Sequence, residues 1–407
     1  MISVLINAYA CAPNMGSEPG MAWNWVINLA KYCKVIVITE GEWQKEIEAA
    51  VKELPQGTNL TFHYNPVSVE IRKMCWNQGD WRFYKHYKKW QFKTYQIAQE
   101  ILKTNKIDVL HQLNMIGFRE PGYLWKITNV PLIWGPVDAK QKFPVAYLNG
   151  ADLKTKLFIN LKNRITYLQL KHSKRLRIAV KNASVVVSAS TNSQTSFNRF
   201  FGINSPLLNE TGCYIQEHKI VDKTNKKNLD LLWVGKLDFR KQLPIAIQTL
   251  KEINNEDIVL HIVGGGDDLA YKSLAKSIGI ENQCKWYGLI KHSEVQQLMQ
   301  KCDLFFFTSV AEGTPHVVLE SISNNLPVLC FNTCGQGDSI NENVGIKIEL
   351  SNPEQSSIHF AKKIKDLFNN REKLELLSNN CKQRQIELSW DLKAKNMIKL
   401  YNESLKK

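Results

Sequence analysis

Two carboxylates eight residues apart form the sharpest chemical pattern in the chain: Glu312-Gly313-Thr314-Pro315-His316-Val317-Val318-Leu319-Glu320. The stretch follows an apolar run at 305–307 and opens a helical segment. Thr314 suits the helix cap and Pro315 the first turn, which leaves the N–H groups of His316 and Val317 for an anion. Glu312 lies on the loop and Glu320 about a turn into the helix, so the two carboxylates could grip hydroxyls on either side of a phosphate. The same residues also describe a capped helix with two solvated acids. A second candidate, Val234-Gly235-Lys236-Leu237-Asp238-Phe239-Arg240-Lys241, brings cations to a strand exit, where they suit phosphate. A basic strand exit is also commonly a solvated loop. Gly264-Gly265-Gly266 form a third, glycine-rich exit, and the following Asp267-Asp268 reads as a helix N-terminus with favourable dipole charge rather than a metal pair. Nearer the start are Gly16-Ser17-Glu18-Pro19-Gly20, a loop before a helix, and His111 at the end of an apolar run. Cys330 and Cys334 read as small apolar residues at a strand end, and no metal site is expected.

These residues need strands to hold them. Short runs rich in Val, Ile and Leu recur at 3–7, 34–39, 60–64, 107–111, 131–134 and 184–188, and again at 229–234, 258–263, 285–287, 303–307, 327–331 and 345–348. Most are continuously apolar, as strands buried on both faces of a parallel sheet must be. Amphipathic helical stretches intervene at 21–32, 42–53 and 90–104, then at 243–253, 268–277, 293–301, 315–324 and 353–379. The alternation predicts an α/β chain of two Rossmann-like, doubly wound parallel-sheet domains facing across a cleft. The expected domains are 1–205 and 206–390, with an irregular polar boundary at 204–228 and a last helix at 391–407 that packs back on the first domain. Ligands of such sheets bind at the carboxyl ends of the strands, where each candidate above falls.

Composition narrows the class. With 407 residues, 44% hydrophobic and 22% charged, the chain has material for two globular cores. Its longest apolar run, at 303–308, is of strand length and far short of the roughly 20 residues that span a bilayer. Met1–Asn7 lacks a basic lead and reads as a first buried strand, which also argues against a lipoprotein-type role for Cys11. Nine scattered cysteines without a Cys-x-x-Cys pair point to a reducing cytosol. The net charge of +15 is unevenly spread: residues 1–205 hold 27 Lys/Arg against 13 Asp/Glu, and residues 206–407 hold 26 against 25. The first half is built to face something anionic.

Taken together, the motifs resemble the retaining glycosyltransferases called family 4, of GT-B fold. Glu-Gly-x-Pro-x-x-x-x-Glu is similar to their Glu-x7-Glu signature, which would set Glu312 near the transferred sugar and Glu320 on the ribose. Family members carry Gly-Arg-Leu and then Lys-Gly to hold the donor diphosphate; here Gly235 is followed by Lys236 in place of the Arg, Lys241 is kept, and Gln242 replaces the Gly. Lysine lacks the bidentate fork of arginine, so phosphate would be held at a different angle. Gly264 and Gly266 resemble the family's turn beside the nucleotide, and Gly335-Gln336-Gly337 its last nucleotide-side loop. Gly16, with Ser17, Glu18 and Gly20, resembles the loop where backbone approaches diphosphate and acceptor. Trp134 and Asp138 fall on the acceptor side, and His111 resembles the strand-end histidine beside the donor sugar. The resemblance implies transfer of a hexosyl group from a nucleotide-diphosphate sugar to a glycan or lipid-linked acceptor in cell-surface polysaccharide synthesis. It implies no metal and no other cofactor. It further implies front-face attack, with the leaving phosphate accepting the acceptor's proton. Glu312, His111, Lys236 and Lys241 would carry catalysis, while Gly313, Thr314, Pro315, His316, Val317 and Glu320 line the donor.

In the family the first domain binds the acceptor, and here it is the basic one. Residues 154–177 hold eight Lys/Arg and no acid among Leu157, Phe158, Leu161, Ile165 and Leu168. Residues 76–95 interleave Trp76, Trp81, Phe83, Tyr84, Tyr87 and Trp90 with Lys85, Lys88, Lys89 and Lys93. Such a mixture suits an anionic membrane surface, so the chain is expected to lie peripherally on the inner face of the cell membrane. The apolar members equally suit the core faces of helices. Two rivals remain: a nucleotide-sugar epimerase or hydrolase on the same fold, and a nucleic-acid binder. Against the second, no zinc-finger, RNA-recognition or helix-turn-helix pattern is present.

Overall fold

The computed structural model describes residues 1–77, 80–139, 142–148, 151–217 and 226–406. Lys223, Thr224 and Asn225 of the expected boundary stretch lie outside them. The apolar runs form twelve strands: β1 Ser3–Ala8, β2 Lys34–Thr39, β3 Leu60–Tyr64, β4 Val109–Asn114, β5 Leu132–Val137, β6 Val185–Ser188, β7 Leu229–Val234, β8 Ile258–Val263, β9 Cys284–Gly288, β10 Leu304–Phe307, β11 Val328–Phe331 and β12 Gly345–Ile348. They make two six-stranded sheets, ordered β3-β2-β1-β4-β5-β6 and β12-β11-β10-β7-β8-β9. The pairs within both are parallel, for example Val4 beside Val35 and Val109 in the first and Leu231 beside Leu260 and Leu304 in the second. From β7 outward the second order repeats the first, so the chain holds two Rossmann-like domains of the same winding.

The chain divides into a first compact unit, residues 1–141, 165–211 and 390–407, and a second, residues 142–164 and 212–389. The division at 211/212 lies six residues beyond the boundary read at 205/206, and it gives 142–164 to the second unit. The first unit's core includes Val4, Ile6, Trp25, Val37 and Ile133. The helix Trp390–Ser404 belongs to it: Trp390 stands edge-on to Trp25 at 5.9 Å, and Tyr32 donates to Asp391 at 2.6 Å. In the second unit the core holds Trp233, Ile262, Phe306, Phe331 and Phe360. Tyr147 is fully buried there, bonded through its hydroxyl to Ser356 at 2.7 Å, which ties 142–148 to that core.

One expectation is corrected. The helix read at 353–379 is two helices, Pro353–Asn369 and Arg371–Glu387. Asn370 leaves helical geometry at φ −128°, ψ 79°, and its side chain accepts from the Lys373 N–H at 2.9 Å, so one residue ends the first helix and caps the second. The aromatic stretch 76–95 does not present a common face. Phe83, Tyr87 and Trp90 are buried around Tyr9 with ring centroids 4.9–5.6 Å away, while Trp76, Trp81 and Tyr84 are exposed. Among the described residues no helix is long and apolar enough to cross a membrane.

Candidate functional site

The second sheet changes winding direction between β7 and β10, and that switch point is where ligands of open α/β sheets sit. The loop after β7 carries Lys236 and Lys241, and the loop after β10 carries Glu312. They meet: Lys241 Nζ is 2.7 Å from Glu312 Oε1, both side chains about 15% exposed. Ser309 donates its hydroxyl to the same oxygen at 2.6 Å. The two loops are stitched together beneath this pair. Trp233 donates to Thr308 Oγ1 at 3.0 Å, Thr308 donates to the Lys241 carbonyl at 2.8 Å, and the Val310 N–H reaches the Arg240 carbonyl at 3.2 Å. Lys236 is exposed, and no described acid pairs with it. Arg240 turns onto Asp238 at 2.8 Å.

Gln242, where the resemblance leads one to expect glycine, adopts φ 51°, ψ 42°, the left-handed conformation that glycine takes at no steric cost. Its amide donates to the Phe239 carbonyl at 2.9 Å and the Tyr147 carbonyl at 3.2 Å, which offsets the roughly 1 kcal/mol that a side chain pays there. The departure from the family pattern thus leaves the backbone turn intact.

Close backbone approach explains two glycines of the site. A Cβ on Gly264 would stand 1.7 Å from the Gly235 carbonyl oxygen, so the exits of β7 and β8 touch directly. One on Gly335 would meet Thr314 Oγ1 at 2.4 Å, and the Gly335 N–H donates to the Gly313 carbonyl at 2.9 Å. Asp267 and Asp268 open the helix Leu269–Ser277: Asp267 accepts from the Leu269 N–H at 3.1 Å, and Asp268 pairs with Lys272.

The helix His316–Ser323 begins one residue later than expected, with Pro315 rather than Thr314 at its cap position. Proline has no N–H to satisfy and its carbonyl receives the Val318 N–H at 3.1 Å. Thr314 is buried instead against Gly335, which lies in the short helix Cys334–Ser339 rather than in the loop expected there. Glu320 faces the helix His292–Lys301, with Oε1 3.3 Å from His292 Nε2 and Oε2 receiving the Gln296 amide at 3.4 Å. Ser309, His292 and Gln296 are site neighbours the sequence did not single out. His292 and Gln296 come from a distant segment that no spacing announces, whereas Ser309 lies three residues before Glu312 on the same loop.

In the first unit the candidates separate. Gly16 and Ser17 are exposed, and a Cβ on Gly16 would meet nothing within 4 Å. Gly20 is the sterically required glycine, since its Cβ would stand 1.7 Å from the Met15 carbonyl oxygen. Glu18 Oε1 accepts from the Ile116 N–H at 3.1 Å, joining this loop to the exit of β4. Trp134 and Asp138 are both buried, Trp134 against Phe197 and Asp138 accepting from Ser193 at 3.3 Å.

His111 lies in the interior of the first unit. It is fully buried, its Nε2 2.6 Å from the Gly135 carbonyl and its Nδ1 2.6 Å from the Tyr401 hydroxyl. A carbonyl only accepts, so Nε2 carries the proton and Nδ1 accepts from Tyr401. Both ring nitrogens are engaged inside the unit. Burial pushes this imidazole down to about 4, against the smaller opposing effect of the Gly135 carbonyl. The folded value lies below the roughly 6.5 of an unfolded histidine, so the stability it supports is present above pH ~6.5 and lost as pH falls toward 4. Between pH 7 and pH 5 the chain should lose on the order of 2 kcal/mol from this group. Urea unfolding at both pH values checks it, and in His111→Gln that part of the pH dependence should disappear.

Residues 215–384 match the family model of the glycosyl transferases, group 1. That stretch contains the whole Lys236, Lys241, Glu312 and Glu320 arrangement. Protein CapJ of Staphylococcus aureus is 26% identical over 167 residues, 40% of this chain and 42% of that protein. The lipopolysaccharide 1,6-galactosyltransferase of Salmonella typhimurium is 30% identical over 127 residues, 30% of this chain and 35% of that enzyme. The chain thus spans less than half the length of these relatives. Among solved structures, Anabaena HepE in complex with UDP-glucose superposes with a TM-score of 0.61 at 15% identity, covering 99% of this chain and 100% of that one. At that identity the likeness is one of fold, and it extends over both Rossmann-like domains.

Proposed function

We propose that the chain is a retaining, hexosyl-transferring glycosyltransferase of the family 4 type. It takes its sugar from a nucleotide-diphosphate donor and delivers it to a glycan or lipid-linked acceptor in surface-polysaccharide synthesis. The observation that carries this is the Lys241–Glu312 pair at the switch point of the second sheet, with the exposed Lys236 on the same loop as Lys241. The group 1 match over those residues supports the reading, as does the galactosyltransferase named among the relatives.

In this mechanism the bond between the anomeric carbon and the diphosphate oxygen breaks while an acceptor oxygen forms its bond on the same face. The acceptor's proton passes to the departing phosphate. What the protein must do is stabilise negative charge growing on that diphosphate, and lysines in a partly dry site do this well. Lys241 does so from its place beside Glu312, and Lys236 from the solvent side. Glu312 has about four lone-pair sites; those not used by Lys241 and Ser309 orient the sugar hydroxyls. Glu320, one helix face further, receives the ribose hydroxyls. Two lysines and a helix N-terminus supply the positive charge that metal ions supply in other transferases, so the proposal includes no metal. The enzyme works at the cytoplasmic, anionic face of a membrane, where a lipid-linked acceptor would be found.

A thermal-shift panel with UDP, GDP, ADP and CDP and their sugars, without metal, tests donor binding. A nucleotide at 100 times its dissociation constant adds about 2.7 kcal/mol. One nucleotide should stand out, and Glu320→Gln should weaken it about tenfold, the scale of a hydrogen bond to a charged group. No response to any nucleotide, or an unchanged affinity in Glu320→Gln, would sink the donor assignment. Turnover of the donor at full rate without any acceptor would instead favour an epimerase or hydrolase.

A further inference from the structure

We infer that the outward face of the helix Leu153–His172 docks on an anionic lipid bilayer. The inference adds a location to the membrane-side enzyme proposed above, and rests on that reading only for the lipid-linked acceptor. The helix is firmly seated. Asp152 caps its start, accepting from the Thr155 N–H at 2.9 Å and the Thr155 hydroxyl at 2.6 Å. On the inner side Ile159 packs against the second unit's core, and Asn163 bonds both the N–H and the carbonyl of Phe143, at 2.9 and 3.1 Å.

The opposite side is apolar and open. Leu153 is 73% exposed, Leu157 63% and Leu161 58%, at the i, i+4 spacing that stacks side chains along one helix face, and Phe158, three residues before Leu161, is 60% exposed beside them. Ile165 and Leu168 continue the stripe. A soluble surface does not ordinarily gather so many large apolar side chains in a row. Interleaved with them on the same side are Lys154, Lys162, Arg164 and Lys171, all exposed, and the helix has no acidic residue.

That combination selects the occupant. Apolar side chains with cations among them suit a bilayer interface, where the former enter the acyl boundary and the latter meet anionic headgroups. A second copy of this chain would set the same cations against each other. The other basic stretch, 76–95, turns part of its aromatic set into the core, as described above, so it lacks a comparable continuous face.

Vesicle co-sedimentation of the full chain decides the matter. Vesicles with about one-third phosphatidylglycerol should bind it, purely phosphatidylcholine vesicles should bind about tenfold less, and added salt should weaken binding. Changing Leu157→Ser, Phe158→Ser and Leu161→Ser together should reduce partitioning at least about tenfold. The substituted side chains point outward, so unfolding temperature and nucleotide response should be retained. A second variant, Lys154→Gln, Lys162→Gln and Arg164→Gln, should lose the preference for anionic lipid and serves if the first does not fold. Unchanged vesicle binding in both variants, or no binding by the native chain, overturns the inference. So does a native dimer that the serine variant dissociates without any vesicle binding, since it gives the face to a second copy. Nucleotide response is read separately, so a failure here leaves the transferase proposal standing, and the reverse.

Discussion

Lys241→Met lowers turnover of the nucleotide-sugar donor by about 100-fold or more, the usual loss when a charge-stabilising group is removed from a reacting centre. Methionine keeps an unbranched apolar stem, so Lys241's place over the Phe307 ring, 5.2 Å from Nζ to the centroid, remains filled. What is lost is the ammonium 2.7 Å from Glu312. A purely structural role for this pair makes a different forecast. If Lys241 served only to neutralise Glu312, Lys241→Met would bind the free nucleoside diphosphate as tightly as the native chain. If it stabilises the leaving diphosphate, affinity for the nucleoside diphosphate falls together with turnover. Turnover within about threefold of native in the single variant would remove Lys241 from the mechanism altogether.

Gly264→Ala should cost about 3 kcal/mol or more of unfolding free energy. The added methyl lands 1.7 Å from the Gly235 oxygen and 2.8 Å from its carbon, and neither is the end of a flexible side chain. Both backbones are pinned: Gly235 N–H to the Val263 carbonyl at 3.0 Å, Gly264 N–H to the Gly288 carbonyl at 2.9 Å, and Leu237 N–H to the Gly265 carbonyl at 2.9 Å. Relief therefore requires breaking sheet hydrogen bonds at the exits of β7, β8 and β9. Gly265→Ala is the control next door. Its methyl would meet only Leu289 at an ordinary 3.7 Å, and the change should fall within about 1 kcal/mol of neutral. Thermal unfolding of the two variants side by side gives the answer, and equal losses would show that the contact is not what matters.

The strands were the most legible part of this chain, because a sheet buried on both faces demands unbroken apolar runs. Leu304–Phe307 and Val328–Phe331 show such runs, and both strands are buried throughout. The second-unit site was legible for a related reason. Its charged residues lie just after strands, and local chain direction alone brings them to one sheet edge. The surroundings of His111 and Trp134 were not legible: both lie on strands near the carboxyl edge, and nothing local says that Tyr401, 290 residues away, will cover one and Phe197 the other. The break at Asn370 was hidden by helical periodicity continuing through it. Its backbone at φ −128°, ψ 79° and its capping bond to Lys373 distinguish it from a residue inside one long helix, and neither shows in the pattern of residue types. His292 and Gln296 could not be read at all, since their role beside Glu320 exists only once two helices have packed.

The return of Trp390–Ser404 to the first unit has a consequence for how the chain is made. Every strand of that first sheet leaves the ribosome before residue 189, but the helix carrying Trp390 and Tyr401 emerges after all of the second unit. At about 5–20 residues per second, residues 212–389 take roughly 10–35 seconds to synthesise. Throughout that interval the flank of Trp25 and the imidazole of His111 lack their native cover. The second unit, though later in the sequence, is the first to have all of its parts. The nascent first unit is thus a waiting client with an apolar seam open to water, and the final fifteen-residue helix acts as its closing clasp.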